Sequence, residues 1–436
     1  MTCDKDKLRG VTPGDLAVVV GTGRSGMAAA RLLALLGAQV RVLERDAAKV
    51  PAAFAEWAAA SNVSIIHGEH EAAHFAGAAF VVPSPGVPVA KLAPYLPAHG
   101  CEVLAEMELA WRQLAGEPVL AVTGTSGKTT TVSLCAAMLQ AGGLSVFLGG
   151  NIGTPLCEYV LDVASGKPRA DVLVIEISSF QLQTCSTFHP RVALLMNLSE
   201  NHLDYHADMQ EYADAKFRLF RCQDEDDLAI LGEGVVELAQ SYGLKARQVV
   251  YHTTERFPVT QLFGPHNRAN MEAAWQAVRF FGVEESAAAK AMAAFPPLEN
   301  RLERVAEKHG VIYVNDTKCT TVDALRVAIS AFEQPVLLLV GGKFKGGDLQ
   351  GLRPLVQAKV RAVAGFGHSR EHFEPAWSDL VPMTWHDTLP PAVQHLAAMA
   401  QPGDVVLLAP ATASFDLYAN YLERGAHFRT VVGELA

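Results

Sequence analysis

Short apolar runs recur along the chain at Leu16–Val20, Val40–Leu43, Ala79–Val82, Val172–Ile175, Val192–Met196 and Val311–Val314, and another leads through Ala121 and Val122 into Gly124. Except at Arg41 in Val40–Leu43, each is continuously apolar rather than alternating, which is the pattern of a parallel strand covered on both faces. Helical stretches fall between them: Met27–Leu36 is closed by Gly37, and a more polar one runs from about Glu211 to Phe220. Strand followed by helix, repeated without low-complexity segments or short repeats, predicts α/β architecture. Two breaks divide the series, Ala115-Gly-Glu-Pro118 and Phe295-Pro-Pro297. Three domains are therefore expected, over 1–116, 117–297 and 298–436.

The most specific turn is Gly124-Thr-Ser-Gly-Lys-Thr-Thr130, between an apolar strand and a helix. Its backbone N–H groups can cradle phosphate, Lys128 can reach the outer phosphates, and the Thr129 hydroxyl can ligate Mg²⁺. Val122 stands where the full Walker pattern has glycine. A second loop, Gly21-Thr-Gly-Arg-Ser-Gly26, follows the first strand, and Glu44 ends the next strand, which satisfies the dinucleotide fingerprint and raises a nicotinamide-dependent oxidoreductase as an alternative. The same turn can hold any diphosphate, a uridine nucleotide included. Ser84-Pro-Gly86 reads equally as a proline turn or as a loop facing the same ligand.

Composition narrows the field. The chain has 436 residues and a formal charge of −10, which disfavours nucleic acid as a general partner. No apolar run approaches the ~18 residues that span a bilayer, and the opening Met1-Thr-Cys-Asp-Lys-Asp-Lys lacks the apolar stretch of a secretory signal. A cytoplasmic protein without membrane insertion is expected. Its seven cysteines are scattered and never spaced Cys-x-x-Cys, so reduced thiols are expected rather than a disulfide framework or a zinc site.

Downstream of Lys128, Glu176 ends an apolar strand beside the phosphate loop, where Mg²⁺ would sit. His202, in Asn201-His-Leu-Asp204, is by itself an ordinary loop histidine, and Lys216 by itself an ordinary lysine on a helix surface. Spacing alone gives neither a role.

Gly124–Thr130, Gly150-Asn-Ile-Gly153, Glu176-Ile-Ser-Ser-Phe-Gln-Leu182, Asn201–Asp204, His266-Asn-x-x-Asn270 and Asn315-Asp-Thr-Lys318 occur in the order found in Mur ligases, and the resemblance covers essentially the whole chain. Glu176–Leu182, Asn315–Lys318 and Pro410-Ala-Thr-Ala-Ser-Phe-Asp416 resemble the member that adds D-glutamate. The resemblance implies a Rossmann-like N-terminal domain for the UDP-sugar, a central P-loop ATPase-like parallel sheet, and a Rossmann-like C-terminal domain for the amino acid. It implies an ATP-dependent amide ligase of peptidoglycan precursor synthesis that joins D-glutamate to UDP-N-acetylmuramoyl-L-alanine through an acyl phosphate. A Mur-type ligase for another amino acid is the nearer alternative, and a non-catalytic nucleotide-binding regulator a further one.

By the same resemblance, Lys128, Glu176, His202 and Lys216 are the catalytic set. Thr129 and Glu176 would hold one Mg²⁺, and His202 with Lys216, modified to a carbamate (N6-carboxylysine), a second. ATP would be bound by Gly124, Thr125, Ser126, Gly127, Lys128, Thr129, Thr130, Asn267, Asn270, Arg301 and Asp316. Gly23, Arg24, Ser25, Glu44, Ser84, Gly86 and Asn151 would take the UDP-sugar, and Lys318, Thr320, Lys345, Ser414 and Tyr421 the D-glutamate. A monomer is expected. Three positions depart from the family pattern: Thr321 for asparagine, Asn300 for histidine and Glu44 for aspartate.

Overall fold

The computed structural model describes residues 10–61, 63–202 and 205–435. The opening segment with Cys3, and Leu203 and Asp204 of the Asn201–Asp204 motif, lie outside the described residues.

Three α/β domains are built on three sheets. The first sheet contains β1 (Leu16–Val20), β2 (Gln39–Glu44), β3 (Val63–His67), β4 (Phe80–Pro83) and β5 (Glu102–Val103) in the order β3-β2-β1-β4-β5, all parallel. The second contains β6 (Val119–Thr123), β7 (Val146–Gly150), β8 (Val172–Glu176), β9 (Val192–Leu195), β10 (Leu228–Gly232) and β11 (Arg247–Tyr251), parallel throughout in the order β11-β10-β9-β6-β8-β7. The third is mixed. Its strands β12 (Glu303–Lys308), β13 (Val311–Asn315), β14 (Val336–Gly341), β15 (Val360–Phe366), β16 (Met383–His386) and β17 (Val405–Leu408) run β12-β13-β17-β14-β15-β16, with only β12 antiparallel.

The strands form where β-branched and leucine residues cluster, and the central ones are buried along their whole length: β6, β8, β14 and β17 expose none of their side chains. The first helix begins at Arg24, one turn earlier than its apolar pattern indicated, because Gly23 supplies an extended N-cap directly after the turn. By packing, the chain divides into two compact units, Met1–Phe257 with Ala269–Met292, and Pro258–Arg268 with Ala293–Ala436. The first unit holds two sheets, and its core runs from Ala17 and Val19 through Leu33 and Leu109 to Leu156 and Leu173. In the second unit, layers on both faces of the third sheet bury Leu338 and Leu407 on one side and Leu339 and Val406 on the other.

Among the described residues no helix is long and apolar enough to cross a membrane. Cys101, Cys135, Cys157, Cys185 and Cys319 are free thiols. Cys222 is disulfide-bonded, a departure from the all-reduced expectation.

Candidate active site

In each sheet candidate residues gather at the carboxyl ends of strands, the side on which open α/β sheets bind ligands. In the second sheet, β6 feeds the loop Gly124–Gly127, and the helix Lys128–Ala141 follows. Val122 is still inside the strand, paired with Glu176 and fully buried, so this position needs no glycine. Glycine is needed at 127: φ is +84°, and a Cβ there would lie 2.7 Å from Asn270 Oδ1 and 2.7 Å from Met196 Cε. Asn270 is thus packed against the phosphate loop. Asn197, which the sequence reading missed, braces the same loop: its Oδ1 accepts from Thr125 N (3.1 Å) and Ser126 N (2.9 Å), and its Nδ2 donates to Ser126 O (3.2 Å). The signal was its place two residues past β9, at the same sheet edge.

Lys128 Nζ donates to Gly124 O (2.8 Å) and Thr125 O (3.0 Å). Thr129 Oγ1 donates to Glu176 Oε2 (2.8 Å), and Asn151 Nδ2 donates to Glu176 Oε1 (2.7 Å). Thr129 and Glu176 therefore meet as the motif pattern anticipated. Asn151, assigned to the UDP-sugar, stands at this carboxylate as well. Thr130 lies buried in the first turn of the helix.

Lys216 is not the surface lysine that its helix implied. It is 2 % exposed on the helix Met209–Phe217, with Nζ donating to Gly124 O (2.9 Å) and lying 4.6 Å from the ring centre of Tyr212. Burial, reinforced by the nearby Lys128 charge and only partly opposed by Glu176, pushes its ammonium down to about 6, so the amine is largely neutral at pH 7. Tyr212 also ties this helix to the loop through Thr125 Oγ1 (3.1 Å). His202, at φ +57°, packs edge-on against Phe180 (4.9 Å between ring centres) and Tyr212 (6.3 Å). Lys128, Thr129, Glu176, Lys216 and His202 thus share one edge of one sheet.

In the first sheet, β1 and β4 are neighbours, so Gly21–Gly26 and Ser84–Gly86 emerge side by side. Ser84 Oγ donates to Gly21 O (3.4 Å). Glu44 reaches the same turn, its Oε2 accepting from Thr22 N (3.0 Å) and Thr22 Oγ1 (2.8 Å). Burial raises the Glu44 carboxyl, but the Thr22 and Asp46 donations and Lys49 outweigh it and hold it below the usual range. Gly23, Arg24 and Gly86 are exposed at this edge and Ser25 is half-buried.

The second unit gathers the remaining candidates. Asn267 is nearly buried, its Nδ2 donating to Phe263 O (2.7 Å). Asp316 follows β13 and accepts from Leu302 N (3.2 Å), and burial pushes its carboxyl up to about 7 against the lowering effect of that bond and of Arg301. Lys318 Nζ lies 4.1 Å from the ring centre of Tyr421. The Lys318–Thr320 segment is joined to the 410–414 loop by Ala411 N donating to Cys319 O (3.0 Å), and Lys343 N donates to Ala413 O (2.8 Å), which sets the loop of Lys345 beside Ser414. Lys318 and Lys345 are exposed, whereas Ser414 is buried. Arg424, also missed, is fully buried and donates to Thr317 O, Thr412 O and Thr317 Oγ1 at 3.0–3.1 Å. It pins two of these loops together. Thr321 is the N-cap of the helix Val322–Ser330, accepting from Ala324 N, a task asparagine performs equally well.

Residues 15–103 match the MurD-like N-terminal domain of Mur ligases, 122–257 the Mur ligase middle domain, and 300–412 the Mur ligase glutamate ligase domain. The UDP-N-acetylmuramoylalanine–D-glutamate ligase of Nitratidesulfovibrio vulgaris is 70% identical over 437 residues, covering 100% of both chains. The chain belongs to the Mur ligase family. The ligase of the same name from Desulfovibrio desulfuricans is 62% identical over 438 residues, again covering 100% of both. Among solved structures, the Mur ligase MurF from Thermotoga maritima in complex with ADP matches with TM-score 0.61 at 18% identity, covering 91% of this chain and 96% of that one. MurC from the same organism gives TM-score 0.58 at 16% identity, covering 96% and 99%. These two distant Mur ligases share the fold.

Proposed function

We propose that this chain is the ATP-dependent ligase that joins D-glutamate to UDP-N-acetylmuramoyl-L-alanine, with 1–116 serving the UDP-sugar, 117–297 ATP and 298–436 the amino acid. The observation that carries the reading is the corner where Thr129 meets Glu176 and the buried amine of Lys216 lies against the phosphate loop. A carboxylate is a poor electrophile, so it must be activated. The substrate carboxylate attacks the γ-phosphorus and the bond to ADP breaks, giving an acyl phosphate. The D-glutamate nitrogen then attacks the carbonyl carbon and loses a proton, and the C–O bond to phosphate breaks to leave the amide.

Both encounters bring anions together, so catalysis is chiefly positioning and charge neutralisation. Lys128 supplies a cation on the loop. The Thr129 hydroxyl and the Glu176 carboxylate are the hard oxygen donors that Mg²⁺ takes, and Asn151 orients that carboxylate. The neutral Lys216 nitrogen can add to CO₂, losing a proton to give an anionic carbamate that, with His202, offers a second donor set. These residues would hold Mg²⁺, whose charge would offset the repulsion between phosphate and carboxylate oxygens. In the second unit, Lys318 and Lys345 offer cations to the two carboxylates of D-glutamate, with Thr320, Ser414 and Tyr421 around them. On this reading the reaction belongs in the cytoplasm and the chain acts as a monomer.

The test is phosphate release with ATP, Mg²⁺, the muramoyl substrate and D-glutamate, omitting one component at a time. Turnover should require all of them and strongly prefer D- over L-glutamate, because fixing both carboxylates turns the L-amine away from the acyl phosphate. Equal use of L-glutamate, or NAD reduction without ATP turnover, would overturn the reading.

A further inference from the structure

In the second unit, the turn that carries Arg301 is strained. Asn300 has φ +64° and Leu302 φ +41°, so Arg301 is flanked by two left-handed residues, one of them a leucine that strongly disfavours this conformation. Such a turn persists only where its surroundings over-determine it.

They do so through one polar cluster, buried at Asn300 and Asn315 and part-buried at Glu303 and Arg429. Glu303 Oε2 accepts from Asn300 N (2.8 Å), Asn315 Nδ2 (3.0 Å) and Arg429 Nη1 (2.9 Å). Asn300 Oδ1 accepts from Asn315 Nδ2 (3.0 Å) and Arg429 Nη1 (3.3 Å). Asn300 O takes Lys318 N (3.2 Å), and Leu302 N donates to Asp316 Oδ1 (3.2 Å). The 300–303 turn and the 315–318 segment are thereby stitched together on both sides of Arg301 and Asp316.

The helix Tyr421–Glu434 closes the cluster. It passes so near that a Cβ at Gly425 would lie 2.0 Å from Asn300 Oδ1 and 2.8 Å from Thr317 Cγ2. The side chain at 300 must therefore be short, must tolerate positive φ, and must carry an oxygen able to accept twice. Asparagine meets all three requirements, whereas the bulkier histidine of the family pattern offers a single acceptor nitrogen when neutral and none when charged.

We propose that Asn300 is a positioning residue: held by Glu303, Asn315 and Arg429, it fixes the Arg301 turn against Asp316 and so sets both groups for ATP. The proposal rests on the reading of Arg301 and Asp316 as ATP contacts. Asn300→Ala should lower kcat/KM for ATP by about ten- to a hundredfold, the scale expected when a phosphate-facing group is displaced by about an ångström, while KM for D-glutamate moves less than about twofold. Arg429→Met, at the cluster's partly exposed rim, should show the same selective loss, Arg429→Lys should recover much of it, and the double variant Asn300→Ala/Arg429→Met should be no worse than the worse single one. Titration with a non-hydrolysable ATP analogue reads the same loss as weaker binding, independently of turnover. Unchanged ATP parameters in both single variants would overturn the proposal. So would additive effects, or KM values for all substrates rising together with a falling melting temperature. Absence of D-glutamate-dependent phosphate release by the unaltered protein, with the analogue still bound selectively more weakly by the variants, would instead overturn the reading of the reaction.

Discussion

Two glycine turns in the first compact unit follow parallel strands, open helices and lie at sheet edges, yet they are built for different purposes. In the turn after β1, Gly21 takes φ +97° and Gly26 serves close packing: a Cβ at Gly26 would lie 2.1 Å from Gly21 O and 2.8 Å from Ser84 Oγ. Its acid, Glu44, is bound by Thr22. In the turn after β6, glycines allow positive φ at 124 and 127, and three charged or ionisable groups converge: Lys128 on the loop, Glu176 through Thr129, and Lys216 beneath. A strand–glycine–helix unit supplies an anion-friendly backbone in either case, and the side chains arriving from neighbouring strands and helices decide whether it binds or reacts.

That contrast can be broken most directly at Lys128. Lys128→Ala should cut phosphate release by about a thousandfold or more, the scale of removing a preorganised charge from a transition state, with the melting temperature unchanged. Near-normal turnover would place the chemistry elsewhere. Next in size is Lys216→Ala, expected to lose about a hundredfold and to be partly restored by short-chain carboxylates that replace the carbamate oxygens; full activity in that variant, or failure of isotope-labelled bicarbonate to give a carbamate NMR signal in the unaltered protein, would remove the carbamate.

Gly26→Ala tests the packing of the turn after β1. Overpacking against Gly21 should cost about 1–3 kcal/mol in denaturant unfolding, and unchanged stability would mean that the first turn is not packing-limited. A purely pH-dependent effect concerns Glu106, on the helix Glu106–Trp111 that leads from the first sheet to the second. Burial, opposed by the Cys157 N–H bond, raises its carboxyl to about 7 from 4.5, and its Oε2 has no hydrogen-bond partner. The folded state therefore binds this proton more tightly than the unfolded chain does, so stability falls as pH rises from 4.5 through about 7 and levels off above. Glu106→Gln does not titrate and should gain on the unaltered protein across that window, by about 3 kcal/mol at pH 8. A difference that stays constant with pH would exclude Glu106 as its source.

Seven of the seventeen described strands, the two glycine turns and the Thr129–Glu176 pair were legible in the chain alone, because an apolar run, a glycine turn and a carboxylate at a strand end are local features that need no partner to be read. It could not place Lys216, since a lysine on a mixed helix reads as solvated until the fold turns that face onto Gly124 O and Tyr212. Arg424 and the Asn300 cluster were invisible for the same reason, and Asn197 showed only its place after β9: each acts through hydrogen bonds to residues distant in the chain. Folding settled which side chains lost water, and with it the charge of Lys216 and Glu106, because desolvation depends on what packs around a group and not on its neighbours in sequence.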